Sequence, residues 1–208
     1  EIPCGAIDRP HNSEIPQQQA KWEVCAINWA DLSDCSQNYG VSLLNDCKYG
    51  YDSKKNILRL TLLRSPKWPD PEADKGIHQF TYAIYPHTDT WQSARTVHQG
   101  YELNIPLQVV LFEEGTGNRE LLTGKLLSSE IKFLDLDADN LILMSLKLAD
   151  RENCLIMRCY ECHGETAKLN LEQNLNVTIS DRVNLLEQPL PYRDLVIKPW
   201  QIASFQLN

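Results

Sequence analysis

The sharpest chemical pattern in this 208-residue chain is CYECH at residues 159–163. It has the C-x-x-C-H spacing of covalent haem attachment and contains the C-x-x-C of thiol redox centres. A reactive C-x-x-C places its first cysteine at a helix N-terminus, where the dipole lowers the pKa of the thiol. The preceding residues, LIMR at 155–158, predict a strand instead. We therefore interpret Cys159 and Cys162 as incidental to function.

A polar loop predicted at residues 45–52 is the second candidate. Its sequence, NDCKYGYD, carries an amide, two acids, a cation and two phenols. Apolar runs flank it, and in the second run Leu58, Leu60 and Leu62 recur at a spacing of two, which is typical of a strand with one buried face. The pattern leaves two interpretations open, a surface turn or part of a binding wall.

Carboxylate pairs are the third candidate, because glycoside hydrolysis needs two acids across a sugar. Asp46 with Asp52, or Asp70 with Asp74, could converge. Acids in loops rich in Pro and Gly are more often solvated turn residues, so we expect no catalytic residue in this chain. The aromatic side chains at positions 49, 51 and 68 could stack on a sugar ring or pack in a core.

Metal, nucleotide and nucleic-acid sites are not expected. The five histidines stand far apart, H-E-x-x-H spacing is absent, and no G-x-S-x-G, Walker or dinucleotide fingerprint occurs. A net charge of -8 argues against binding to a phosphate backbone. No apolar run approaches the roughly 20 residues that cross a bilayer, so a membrane is not an expected partner either.

Seven cysteines, an odd number, favour reduced thiols and a cytoplasmic protein over a disulfide framework. The first residue is Glu1 and not Met. We expect the chain to be the C-terminal part of a longer protein.

The first half of the chain predicts strands joined by loops. Alternation favours strands at 20–26 and at 77–85, the second ended by Pro86. Residues 11–19 are expected to form an exposed loop. A short helix is predicted to follow, capped by Thr88 or Asp89 and running to Tyr101.

The second half predicts strands in series, at 130–136, 141–148, 154–162, 166–171 and 175–183, and a final strand or strand pair within 194–207. Short strands at this spacing predict a mainly β chain, an antiparallel β-sandwich with one short helix. A division near 108–120 into a larger sandwich and a smaller closing sheet is also compatible with the pattern.

Several strings resemble the C-terminal part of glycoside hydrolase family 38 α-mannosidases, in particular the cytosolic and bacterial branch. They are EIPCGAIDRP at 1–10, WADLS at 29–33, GVSLLNDCKYGYD at 40–52, LRLTLLRSPKWPDPEADKGIHQFTYAIYPH at 58–87, YELNIPL at 101–107, RCYECHGE at 158–165 and IKPWQIASFQL at 197–207. Residues 113–152 match weakly. The chain departs from the usual strings at Cys4 and Cys162.

The resemblance implies hydrolysis of terminal α-mannosidic bonds with retention of configuration. The carboxylate nucleophile and a divalent metal, usually zinc, belong to an N-terminal catalytic domain that is followed by a helical domain. None of their motifs is in this sequence, so the chain by itself is expected to lack catalytic residues, metal ligands and a cofactor. Its expected partners are those two domains and a mannose-containing oligosaccharide.

The resemblance also implies that this β-sandwich region packs on the catalytic part and that one of its loops helps to close the sugar pocket. The matching string carries this over to Asn45, Asp46, Lys48 and Tyr49 as positions that contact or support the substrate. The alternative is a stand-alone carbohydrate-binding module, in which the same loop binds glycan without catalysis.

Overall fold

The computed structural model of the chain describes residues 1–11, 14–21, 23–34, 36, 38–110, 132–150, 153–173 and 177–208. The strands of the first half are β1 (Glu23–Cys25), β2 (Trp29–Asp34), β3 (Tyr39–Asn45), β4 (Gly50–Lys54), β5 (Ile57–Thr61) and β6 (Tyr82–Thr88). Those of the second half are β7 (Leu134–Asp135), β8 (Leu141–Leu148), β9 (Leu155–Glu161), β10 (Ala167–Lys168), β11 (Glu172–Gln173), β12 (Ile179–Val183), β13 (Val196–Ile197) and β14 (Ile202–Leu207). The helices are α1 (Pro16–Gln19) and α2 (Thr96–Asn104).

All strand pairs in the described chain are antiparallel. The first half forms two three-stranded sheets, ordered β1-β4-β5 and β2-β3-β6, and the second half forms a four-stranded sheet ordered β12-β14-β9-β8. The second half also contains two short two-stranded sheets, β10-β13 and β7-β11. The fold is thus mainly β, as predicted, with a sandwich architecture.

Two apolar clusters hold these sheets. One lies on the second-half sheet around Met157, Phe205 and Ile197, each fully buried. The other joins the two halves, because Trp29 and Leu44 of the first half contact Tyr160 and other residues of the second. Alternation along β9 explains how one strand serves both clusters, since successive side chains point to opposite faces.

Helix α2 lies on the sheet β2-β3-β6 and buries Thr96, Val97 and Gly100. A glycine in a helix interior is usually unfavourable. Here a Cβ on Gly100 would stand 3.1 Å from the Trp29 ring, so its absence allows the helix to approach the sheet. The turn before the helix ends at Arg95, whose φ of 56° is left-handed.

Three local predictions are wrong. Pro86 does not end a strand but lies within β6, where it pairs opposite Val41; a proline is tolerated there because β6 is an edge strand. Helix α2 begins at Thr96, after an intervening turn, and not at Thr88 or Asp89. The exposed loop predicted at 11–19 contains α1, a four-residue helix with Pro at its start.

The predicted strand positions of the second half hold best at β8 and β9, and the final strand pair is found as β13 and β14. Within 130–136 only Leu134–Asp135 is described as a strand, and 166–171 shortens to Ala167–Lys168. The division predicted near 108–120 falls mostly outside the described residues.

Candidate functional site

The polar loop is shorter than its sequence suggests. Strand β3 continues through Asn45 and strand β4 begins at Gly50, so residues 46–49 form the connection and Tyr51 and Asp52 belong to a strand. We call residues 45–49 the polar loop below, counting the strand residue Asn45 because its side chain shapes the turn.

Asn45 is fully buried and all of its side chain is used within the fold. Its Nδ2 donates to the Ile27 carbonyl at 3.0 Å and to the Tyr51 hydroxyl at 2.5 Å, and its Oδ1 accepts the Lys48 backbone N–H at 2.5 Å. A buried amide that satisfies its partners on three segments fixes their relative positions. Asn45 therefore shapes the loop and has no side-chain atom left for a ligand.

Asp46 is exposed and is held by the segment that precedes β6. Its Oδ2 accepts the Thr81 N–H at 2.9 Å, and its own N–H donates to the Thr81 carbonyl at 3.1 Å. A hydrogen bond from the Cys47 thiol, followed by the one from Thr81, lowers the pKa of the Asp46 carboxyl. Asp46 is thus a carboxylate at neutral pH, a hydrogen-bond acceptor beside solvent.

Lys48 and Tyr49 provide the cationic and aromatic parts of the loop. The Lys48 ammonium lies 4.8 Å from the centre of the Phe80 ring, within the range of a cation–π contact. The Tyr49 carbonyl accepts the Ala26 N–H at 3.1 Å, which ties the loop to β1, while its side chain is 58% exposed. Both side chains stand where a ligand could reach them.

Residues 62–81 form a long irregular connection beside the polar loop, and Thr81 and Phe80 belong to it. Long connections without regular structure are uncommon inside compact domains and are often functional. Trp68 on this connection is 85% exposed. The polar loop contacts the last two residues of this connection, Phe80 and Thr81, so the end of the connection lies beside the carboxylate and the ammonium of the loop.

Two residues support the site from inside the fold: Tyr51, which the sequence predicts to stack on a sugar ring or to pack in a core, and Asn104, which the sequence does not single out. Tyr51 is 1% exposed, and burial raises the pKa of its phenol to about 12, so it remains a neutral hydrogen-bonding group. Asn104, the last residue of α2, donates from Nδ2 to the Asn45 carbonyl at 3.0 Å and to the Gly100 carbonyl at 2.9 Å. No local signal reveals Asn104, because its partner is 59 residues away.

The carboxylate pairs do not form a catalytic arrangement. Asp52 pairs with Arg59 across the β4-β5 hairpin at 2.6 Å. Asp74 accepts the backbone N–H groups of Arg64 and Ser65. Asp70 accepts the backbone N–H of Glu72, a hydrogen bond that aspartates commonly make in turns. These acids have structural partners.

The C-x-x-C-H pattern lies in strand β9 and the turn that follows. Cys159 belongs to the second-half cluster and Cys162 to the cluster between the halves, so the two thiols point to opposite sides. Both are free, and burial raises the pKa of each to about 12. A thiol of such pKa is protonated at neutral pH and unreactive.

Within the described residues no group of three or more His, Cys, Asp or Glu side chains could hold a metal ion. In the same part of the chain no helix is long and apolar enough to span a membrane.

Two family models match the chain in sequence. Residues 1–72 match "Glycosyl hydrolases family 38 C-terminal domain", and residues 140–205 match "Glycosyl hydrolases family 38 C-terminal beta sandwich domain". The chain belongs to the C-terminal region of glycosyl hydrolase family 38. The first match contains the whole polar loop, and the second contains β9 with its C-x-x-C-H pattern.

Proteins named α-mannosidase align over the full chain. "Alpha-mannosidase 2C1" of Mus musculus is 35% identical over 100% of this chain, which corresponds to 20% of its own length. "Alpha-mannosidase" of Saccharomyces cerevisiae is 34% identical over 100% of this chain and 21% of its own length. The chain thus spans about a fifth of these curated relatives.

The fold also occurs in a solved structure. An α-mannosidase from Enterococcus faecalis V583 superposes with a TM-score of 0.75 at 19% identity, covering 98% of this chain and 23% of that one. At this identity the likeness concerns the fold. It agrees with the mainly antiparallel sheets described above.

Proposed function

We propose that the full-length protein is a retaining α-mannosidase that hydrolyses terminal α-mannosidic bonds, and that this chain is its C-terminal β-sandwich region. The observation that supports this most is the 31–35% identity with proteins named α-mannosidase over 99–100% of this chain. The region supports the catalytic domain and contributes the polar loop to the sugar pocket.

The chemistry of the polar loop fits this role. Sugar pockets combine polar groups that bind hydroxyls with an aromatic surface that covers the ring. Asp46 provides a carboxylate acceptor, Lys48 an ammonium donor and Tyr49 an exposed phenol. Asn45 holds these three in position and is a supporting residue, because its polar atoms are already bonded.

The nucleophile and the metal, zinc in this proposal, are assigned to the catalytic domain outside this chain. The described residues do not fit a metal, since they contain no cluster of suitable ligands. A cytoplasmic location is supported by the free thiols of the described chain, as expected in a reducing compartment; they are Cys4, Cys25, Cys47, Cys159 and Cys162.

An assay of the full-length protein on an aryl α-mannoside tests the proposal. We expect turnover with retention of anomeric configuration, its loss on chelation and its recovery with zinc. The polypeptide 1–208 alone should give no turnover under the same conditions. Turnover by that polypeptide would contradict the assignment of catalysis to another domain.

A stand-alone carbohydrate-binding module is the second candidate. It is favoured by the exposure of two aromatic side chains, Tyr49 at 58% and Trp68 at 85%. Calorimetric titration of the folded polypeptide 1–208 with mannobiose separates the two functions. Binding by that polypeptide supports the module, and no heat change supports a loop that works only within the whole enzyme.

A further inference from the structure

The sheet β2-β3-β6 has one face that is apolar and only partly covered. Two rows of cross-strand neighbours form it, Ala30 with Leu43 and Ile84, and Leu32 with Val41 and Pro86. We call these six residues the outer face. Ile84 is 67% exposed, Pro86 is exposed and the other four are half-buried. A soluble sheet normally presents polar side chains on its open face.

The opposite face of the same sheet is buried. Trp29 and Leu44 lie there in the apolar cluster, beside Ser42, which shares a hydrogen bond of 2.9 Å with Thr96 of α2, and the enclosed pair of His87 and Asp31 at 2.7 Å. The protein thus covers a face that includes polar groups and leaves the apolar outer face partly open. An apolar face left partly open indicates an interior surface of the complete protein.

A groove separates the outer face from the sheet β1-β4-β5. Tyr51 of β4 reaches across, and its hydroxyl donates to the Leu43 carbonyl at 3.4 Å. Elsewhere the two sheets leave a cavity of about 570 Å³, with Ala30 and Leu32 on one wall and Val24 and Leu58 on the other. The core between packed sheets is normally filled by interdigitating side chains. This sandwich is open where a core is expected.

Each sheet has three strands in the described chain, where the edge strands β2 and β5 have no strand neighbour on one side. Both of these strands line the groove, β2 with Ala30 and Leu32 and β5 with Leu58. Open edges beside an unfilled groove indicate missing polypeptide. The curated relatives are about five times as long as this chain, and the matched models are C-terminal domains, so most of that length precedes the matched part. Glu1 lines the groove, so polypeptide preceding it leaves from this place.

We infer that the polypeptide preceding residue 1 in the full-length protein covers the outer face and fills the groove with apolar side chains. The inference rests on the proposed function, in which this chain is part of a larger enzyme, and it assigns the surface where the rest of that enzyme packs. The occupant is the same chain, and neither a second copy nor a glycan.

Cysteine labelling of the full-length protein tests the assignment without using activity. Ile84→Cys places a thiol in the middle of the outer face. The control, Asn56→Cys, lies at the exposed tip of the β4-β5 hairpin after Lys54 and Lys55, where solvent contact is expected. Maleimide modification of each position is followed by peptide mass spectrometry. A second variant, Tyr82→Cys, probes the same side of β6 if Ile84→Cys does not fold.

We expect residue 84 to be modified about tenfold more slowly than residue 56 or slower still, since a covered thiol reacts only through local opening. Equal rates would overturn the inference. Protection could also disappear when the protein is diluted and light scattering shows a smaller species. That result would assign the face to a second copy. Protection that appears only with added mannobiose would assign it to a glycan. An inactive but protected protein would contradict the proposed activity and leave this surface assigned.

Discussion

Two polar stretches of this chain, the polar loop at 45–49 and the segment 159–163, look equally suited to chemistry in the sequence but differ in the fold. In the second stretch Glu161 is fully buried, and both carboxylate oxygens are used. Oε1 accepts from Asn140 Nδ2 at 3.0 Å and from the His163 N–H at 2.9 Å, while Oε2 accepts the N–H groups of Gly164 and Trp200. Glu161 thus joins the end of β9 to the segment before β14.

The polar loop has an equally buried residue, Asn45, but the residues that follow it turn outward. Asp46, Lys48 and Tyr49 keep polar atoms beside solvent, whereas the polar atoms of Glu161 are enclosed. A polar side chain whose polar atoms all have hydrogen-bond partners inside the fold contributes to stability. Only a side chain that keeps polar atoms accessible to solvent can recognise a ligand. The following variants test this distinction, from the largest expected effect to the smallest.

Glu161→Ala should have the largest effect. It leaves four partly buried donors without their acceptor, and we expect a loss of about 4 kcal/mol in the free energy of unfolding. Urea denaturation measures it. The control is Glu165→Ala at an exposed position of the same turn, which should change stability by less than about 0.5 kcal/mol. Similar effects of the two variants would contradict the structural role of Glu161.

Asn45→Ala should lower the free energy of unfolding by about 2–3 kcal/mol, because the Ile27 carbonyl, the Tyr51 hydroxyl and the Lys48 N–H lose a shared partner. The same denaturation experiment measures this loss. Asn56→Ala at the exposed hairpin tip provides the control and should be nearly neutral. A stable Asn45→Ala protein with impaired sugar binding would instead make Asn45 a ligand-contacting residue.

Lys48→Ala and Tyr49→Ala should behave in the opposite way. Their side chains stand outward, so stability should change by less than about 0.5 kcal/mol. In the full-length enzyme kcat/KM on an aryl mannoside should fall about tenfold, which corresponds to about 1.4 kcal/mol of transition-state binding. If the two variants are destabilised but show no specific kinetic defect, the role of the polar loop is structural.

A pH dependence at His163 should give the smallest effect. Burial lowers the pKa of its imidazole from 6.5, so the unfolded chain takes up a proton at higher pH than the folded one. The stabilising contribution of neutral His163 is therefore present above pH 6.5 and is lost as the pH falls through the folded pKa. Denaturation at pH 7.5 and 5.5 should show a decline that His163→Phe reduces. Replacement of the exposed His11 should leave the decline unchanged.

The strands of the second half could be predicted because the residues of each strand and of the turns beside it are enough to identify it. In β8 and β9 long runs rich in Leu and Ile are bounded by turn residues, and the bounds agree with the structure within a residue or so. The sandwich class follows from the repetition of such runs. The composition of residues 45–52 and the apolar runs beside them predicted the polar loop, and the resemblance to family 38 implied its role at the sugar pocket, which stays a prediction.

Other features depend on contacts that no local pattern contains. Pro86 was expected to end a strand, but its compatibility with β6 depends on β6 being an edge. The sequence groups Tyr51 with the loop. The side chain is buried because β4 approaches β3, and no local pattern shows this approach. The apolar outer face of the sheet β2-β3-β6 could be recognised only from the register, because alternation in one strand does not say which face the protein covers.

The hydrogen bond from Asn104 to the Asn45 carbonyl connects the last residue of α2 to the residue that shapes the polar loop. A ligand at residues 46–49 that weakened this hydrogen bond would also destabilise the end of α2. By linkage, a variant that destabilised the end of α2 through the same hydrogen bond would change the affinity for that ligand by the same free energy. Helix α2 would then respond to binding at the polar loop without touching the ligand.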